Sequence, residues 1–319
     1  GGMKVNLVLG AGGARGYAHL GVIHALHERG HEVVGIAGTS MGALVGGVFA
    51  AGGLDAFTEW VRGLTRNDIM RLTDLTLAAP GLIRLHRVMK ELQRFIGDVR
   101  IEDLGIPYTA VATDIDQQRE VWFRSGPLIA AVRASIAIPA VFTPVRIGRR
   151  LLVDGGLLKP LPMPPTMDMP GEVTVGVSLF GKPPGLHVNA PSEESSDEAN
   201  ADHTEVASDA DQQSWTTRIG ESVAESWAGR QVSRLLAPPA PGEKAFEDLP
   251  SDVNLIDLLG RTLDLMQGRI EIARTVLNAP DVLVWVPMDA CSVLDFHRGE
   301  ELMNLGHGLA VAEFDRMGL

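Results

Sequence analysis

Short apolar runs recur along the chain, several of them followed by longer stretches with helical spacing. The runs lie at 5–9, 33–37, 107–113, 121–123, 173–179 and 282–286. Runs of this length, rich in Val, Ile and Ala, read as buried strands. Helices are predicted over 17–28 and 43–51, and again over 253–277 and 299–317. This alternation argues for an α/β fold with a mostly parallel sheet. Residues 54–104 read as a helical cap, in which Leu82, Leu85, Val88, Met89, Leu92 and Ile96 form an apolar stripe beside Arg84, Arg87, Lys90 and Arg94. Such a stripe packs on a core or grips an apolar ligand. The two late helices cover the sheet or form an oligomer contact.

The pattern breaks at Pro183-Pro184. From 187 to 213 the chain carries eight acidic residues and neither Lys nor Arg, which is most of its net charge of −12. Low hydrophobicity with charge of one sign predicts a loosely held, solvated segment that an anionic membrane would repel. Residues 215–236 differ: Trp215, Ile219, Val223, Trp227, Val232 and Leu235 recur at near-helical spacing with Arg218, Arg230 and Arg234 among them. That predicts an amphipathic helix, packed on the protein's own core or serving as a lid or an interfacial helix. The expected organisation is one domain over 3–319 that carries 183–250 as a partly disordered insertion. Gly1-Gly2 reads as a cloning remnant.

A chain of 319 residues, 45% hydrophobic, can bury a large core. Its single Cys291 excludes an internal disulfide and suits a reducing compartment, with the thiol read as a small buried residue. With neither a signal segment nor a run of 18 apolar residues, the expectation is a soluble, cytoplasmic protein, with peripheral membrane contact left open. Net negative charge without a basic, aromatic-interleaved patch argues against nucleic-acid binding. His27-Glu28-Arg29-Gly30-His31 spells H-E-x-x-H, which needs a continuous helix to hold zinc. Gly30 ends the helix in our reading, so no metal is expected.

Three segments carry candidate chemistry. Gly38-Thr39-Ser40-Met41-Gly42 fits G-x-S-x-G, the turn that exposes a nucleophilic serine between a strand and a helix. Its flanks are a β-branched run and a small-residue helix, and the serine falls at a helix N-terminus, which favours developing negative charge. Gly10-Ala11-Gly12-Gly13-Ala14-Arg15-Gly16 follows a strand and opens a helix. It lacks the Lys-Ser/Thr of a P-loop, and Arg15 stands where a dinucleotide fingerprint needs its third glycine. What remains is an oxyanion hole formed by the Gly12 and Gly13 N–H groups, or simple close packing of strand and helix. Arg15 could hold this loop through backbone carbonyls or add positive field. Asp154-Gly155-Gly156 ends a third apolar run and reads as a base for Ser40 or as an Asp-Gly turn. A histidine triad is the rival: His19, His24, His27 and His31 lie in or just after the first helix, and His297 or His307 would follow Asp154 in the usual order, though nothing local distinguishes either.

Together these segments resemble the patatin-like phospholipase family, in particular bacterial forms related to the neuropathy-target-esterase catalytic domain. Residues 9–20 resemble its glycine-rich oxyanion segment and Gly38–Gly42 its nucleophile elbow. Ala134-Ser135-Ile136-Ala137-Ile138-Pro139 resembles a mid-chain block, and Asp154-Gly155-Gly156 the D-G-G/A motif. The resemblance spans about 4–181. It implies a three-layer α/β sandwich with a mostly parallel central sheet and helices on both faces. It also implies a Ser40–Asp154 dyad without histidine, with oxyanion donors at Gly12 and Gly13 and support from Arg15, Gly38, Gly42, Gly155 and Gly156. No cofactor is implied, and the substrate would be a lipid acyl ester cleaved in phospholipase A or lysophospholipase fashion. Ala11, Ala140 and Lys159 depart from residues common in the family, and none of them removes a catalytic group. An acyltransferase or a silent lipid- or protein-binding scaffold on the same fold remains an alternative, and an oligomer stays open.

Overall fold

The computed structural model describes residues 2–75, 83–182 and 255–319. The insertion expected over 183–250 and position 82 of the cap stripe lie outside these residues. Along the described chain run β1 (Lys4–Leu9), α1 (Ala18–Glu28), β2 (Glu32–Thr39), α2 (Met41–Ala50), α3 (Leu54–Gly63) and α4 (Arg66–Leu72). A small two-stranded sheet follows, β3 (Asp74–Leu75) with β4 (Ile83–Arg84). Then come α5 (His86–Ile96), β5 (Tyr108–Asp114), β6 (Arg119–Phe123), α6 (Leu128–Ser135), β7 (Val145–Ile147), β8 (Arg150–Asp154) and β9 (Val173–Ser178). The last three elements are α7 (Leu255–Thr275), β10 (Val282–Trp285) and α8 (Gly299–Met317).

The central sheet has the order β10-β9-β1-β2-β5-β8-β7, with β6 also paired to β5. It is mixed. β10, β9, β1, β2 and β5 run parallel, as the alternation predicts. β6, β8 and β7 are antiparallel additions, so one end of the sheet departs from the expected parallel pattern. Connection length gives the reason. Only residues 115–118 join β5 to β6, and Gly148-Arg149 join β7 to β8. Parallel neighbours need a crossover of a dozen residues or more, whereas these lengths permit only hairpins.

On β1 the side chains alternate as a strand requires. Val5, Leu7 and Leu9 enter the main core with α1, α2, α5 and α8, while Val8 packs on the opposite face with Leu161 and Met163. α8 lies against α1, where Gly21 and Gly306 let the backbones approach: a Cβ on Gly306 would sit 2.2 Å from the Ala18 carbonyl oxygen. α1 ends at Glu28, and Gly30 takes a left-handed φ of 74°. His31 therefore leaves the helix, and its Nδ1 accepts from the Met3 N–H at 3.1 Å. Cys291 is buried, and burial pushes its thiol up to about 11. No described helix is long and apolar enough to cross a membrane.

One feature of the sheet positions the site. β6 occupies one edge of β5, so β2 and β8 share the other edge and run toward each other. Val111 pairs with Thr39 at the end of β2, and the next residue, Ala112, pairs with Asp154 at the end of β8. Two chain segments far apart in sequence thus end side by side.

Candidate active site

Ser40 forms the link between β2 and α2 with φ 56° and ψ −124°. For a residue with a Cβ this backbone costs about 1–3 kcal/mol and persists only where its surroundings enforce it. The enforcement is visible. The Ser40 N–H donates to Ser135 Oγ at 2.9 Å, and the Ser135 hydroxyl donates to the Val111 carbonyl at 2.5 Å. The Leu44 N–H bonds back to the Ser40 carbonyl at 3.0 Å. Gly42 is squeezed against β1, where a Cβ would lie 2.0 Å from the Leu9 carbonyl oxygen. Gly38 faces Gly42 just as closely, with its own Cβ position 2.4 Å from the Gly42 carbonyl oxygen. Both motif glycines are therefore dictated by close backbone approach.

Asp154 is 1% exposed. Its Oδ1 accepts the Gly156 N–H at 2.7 Å. Its Oδ2 lacks a hydrogen-bond partner of full geometry among the described residues. The Ser40 hydroxyl lies near enough to favour the carboxylate. Such contacts tighten when substrate binds. Burial outweighs the stabilisation by Ser40 and Gly156 and pushes the Asp154 carboxyl up to about 7. A group of that proton affinity can both take and return a proton near neutral pH. Gly155 admits no side chain either, since a Cβ would lie 2.2 Å from the Val111 carbonyl oxygen.

The glycine loop is braced on both sides of its centre. The N–H groups of Gly10 and Ala11 donate to Val177 and Pro160 carbonyls at 3.0 and 2.8 Å, and that of Ala14 to Val293 at 2.9 Å. Between them the N–H groups of Gly12 and Gly13 make no hydrogen bond among the described residues. Gly13 holds a left-handed φ of 58° that a side chain would resist. Arg15 is wholly buried, and its Nε donates to the Gly12 carbonyl at 3.1 Å. Its Nη1 and Nη2 reach the Met288 carbonyl and Asp264 Oδ1, each at 2.6 Å, and its guanidinium lies over the Phe180 ring. With these partners the buried cation is satisfied. His19 is a second brace: Nε2 donates to the Gly10 carbonyl at 2.8 Å, and burial lowers the imidazole to about 4, so the ring is neutral.

Two cavities meet at Ser40. The larger, about 250 Å³, is apolar. Its walls include Met41 and Leu44 of α2, Phe57 and Trp60 of α3, Ile69 and Leu72 of α4, Leu85, Val88 and Leu92 at α5, and Leu294 and Phe296. The cap therefore shapes this cavity, and three members of its apolar stripe line it. The smaller cavity, about 20 Å³, lies against Gly12, Gly13 and Asp154, with Gly260, Leu263, Asp264 and Gln267 of α7 across from them. His297 and His307 line neither cavity. His307 instead meets Glu28 at 2.7 Å on the surface. Lys159 turns to Glu120, 3.1 Å away.

The helix expected over 253–277 is present as α7, but its contribution to the site was not read from the sequence. Asp264, Gln267 and Glu271 recur at helical spacing, so they share a face, and the structure turns that polar face inward. Glu271 accepts a hydrogen bond from Ser178 at the end of β9, and burial pushes its carboxyl up to about 7. The spacing was a readable signal, but a polar helical stripe ordinarily faces solvent.

Comparison with known proteins places this architecture. The profile of the patatin-like phospholipase family matches residues 7–167. An uncharacterized NTE family protein of Mycobacterium tuberculosis is 42% identical over 96% of this chain and 90% of its own length. The lysophospholipase NTE1 of Eremothecium gossypii is 33% identical over 51% of this chain and 11% of its own length. The crystal structure of VipD from Legionella pneumophila is similar at a TM-score of 0.41 and 14% identity, over 99% of this chain and 67% of that one. On the family match and the full-length mycobacterial relatives, this chain belongs to the patatin-like phospholipase family.

Proposed function

We propose that the chain is a serine hydrolase that cleaves acyl esters of lipids through a Ser40–Asp154 dyad. Asp154 removes the Ser40 hydroxyl proton as Oγ attacks the ester carbonyl. The developing oxyanion rests on the Gly12 and Gly13 N–H groups. Asp154 then gives the proton to the departing alcohol, and water releases the fatty acid from Ser40. Positioned general-base catalysis contributes about 10²–10⁴-fold, and each oxyanion donor about 10²–10³-fold. The scheme requires no metal or cofactor. The observation that carries this reading is the meeting of a strained serine elbow and a buried, partly unpaired carboxylate on adjacent residues of β5.

The apolar cavity beside Ser40 suits an acyl chain, and the similarity to a protein named lysophospholipase supports a phospholipid or lysophospholipid ester. Such esters reside at membranes, so peripheral membrane contact belongs to this reading. The test is labelling with a fluorophosphonate and mapping of the adduct by mass spectrometry. One adduct on Ser40 is expected, absent in Ser40→Ala and slowed in Asp154→Asn, with ester turnover lost in the first and lowered about 10²–10⁴-fold in the second. An adduct elsewhere, or full turnover by folded Ser40→Ala, would overturn the assignment.

A further inference from the structure

The small cavity contains polar functions that the acylation step does not use. Four polar side chains border it: Ser40, Asp154, Asp264 and Gln267. Asp264 is tied to Arg15 at 2.6 Å. Asp154 Oδ2 is buried without a hydrogen-bond partner among the described residues, and the Gln267 carboxamide, on a residue 8% exposed, borders the same cavity with its polar atoms not committed to a neighbouring described side chain. A buried carboxylate oxygen without a partner costs free energy, so the space in front of Asp154 Oδ2 needs an explanation.

Gly156 shows how closely the two groups approach. A Cβ there would lie 2.9 Å from Gln267 Oε1 and 3.0 Å from Asp154 Oδ1. The second glycine of Asp-Gly-Gly thus leaves clear the space between Gln267 and Asp154, a gap of the size that a single bridging water can fill. The cavity's size limits the occupant. About 20 Å³ accepts one or two waters and is too little for glycerol or a larger alcohol.

We infer that Gln267 and Asp154 hold the hydrolytic water of the second half-reaction. The inference rests on the Ser40–Asp154 reading and adds the residue that positions the nucleophile. The water donates one O–H to Asp154 Oδ2 and the other to Gln267 Oε1, leaving a lone pair for the acyl carbon. The water oxygen bonds to that carbon while Asp154 takes the first proton. The tetrahedral intermediate collapses, the bond from carbon to Ser40 Oγ breaks, and the proton returns to Oγ. The products are a carboxylic acid and free Ser40. An alcohol oxygen is held in place by its own ester bond, but water is held only by hydrogen bonds. Loss of Gln267 therefore slows deacylation and spares acylation.

The experiment is pre-steady-state hydrolysis of p-nitrophenyl butyrate by Gln267→Met and Gln267→Leu, with intact-mass detection of acyl-enzyme and fluorophosphonate labelling in parallel. Steady-state turnover should fall about 10-fold or more. The burst rate and labelling rate should stay within about 3-fold of wild type, and a butyryl adduct should accumulate on Ser40. Wild-type deacylation in both variants would overturn the water site while leaving Ser40 as nucleophile. Burst, labelling and turnover falling together would make Gln267 a packing residue and equally overturn it. If fluorophosphonate leaves no adduct on Ser40 of the folded wild type, the dyad reading itself falls.

Discussion

The two cavities that meet at Ser40 are built in opposite ways. The larger is walled by apolar side chains, many of them from the compact stretch between α2 and α5. The smaller draws on the glycine loop, the end of β8, α7 and the loop at Val293, and it contains two carboxylates and an amide. Ser40 thus borders an apolar side fit for a hydrocarbon chain and a polar side fit for proton transfer. In the proposed reading this segregation suits an acyl chain on one side and proton transfer on the other.

The largest expected effect breaks the polar side alone. Asp154→Asn should lower kcat/KM about 10²–10⁴-fold on every ester, because the base is lost whatever the acyl chain. The residual preference among chain lengths should stay as in wild type. A changed preference would mean that the two sides are not independent. Next comes the apolar side. Each methylene that enters the cavity adds about 0.8 kcal/mol of burial, about fourfold in kcat/KM, until the space is filled. Val88→Trp should remove that rise for long esters and leave acetate esters within about 2-fold of wild type, measured on a homologous p-nitrophenyl series. Uniform loss across the series would show that Val88 supports the fold and not the pocket.

The pH profile sharpens the contrast further. Asp154 must be ionised to act as base, and burial places its carboxyl at about 7, so kcat/KM should rise as pH rises through that value and then level. Stability runs the other way. A carboxyl raised above its ordinary value stabilises the fold fully at low pH and loses that contribution as pH climbs through about 7, and the raised Glu271 carboxyl acts in the same direction. The melting temperature should therefore fall between about pH 4 and 7, more steeply in wild type than in Asp154→Asn. Equal slopes would place the Asp154 carboxyl near its ordinary value. The smallest effect belongs to the support of the elbow. Ser135→Ala leaves the buried Ser40 N–H without its acceptor, which should cost about 1–3 kcal/mol and lower the melting temperature by several degrees. Activity should decline alike on short and long esters, since Ser135 serves the nucleophile that both sides share.

Much of the site was legible because its signals are local. The glycines of G-x-S-x-G, the glycine loop and Asp-Gly-Gly mark their turns by residue type alone, although the neighbours that crowd them, such as Leu9 at Gly42 and Gln267 at Gly156, come from distant segments. The strand runs of the parallel half were legible from apolar length alone. Ser135 was visible only through the resemblance of its block, because its partners, the Ser40 N–H and the Val111 carbonyl, lie on other elements. His19 looked like one of several helical histidines until the fold placed the Gly10 carbonyl beside it.

The sequence by itself determined which short segments can turn tightly, extend or coil, and hence that Ser40 stands on an elbow and that Asp154 ends a strand. Only the tertiary structure decided that these two ends meet, because β2 and β8 approach along one edge of β5 from opposite directions. It alone decided that the Asp264, Gln267 and Glu271 face of α7 turns inward. Periodicity states which residues share a face. Which face is buried depends on what the rest of the chain presents to it, and here Arg15, Gly156 and Ser178 present polar partners and room for an amide.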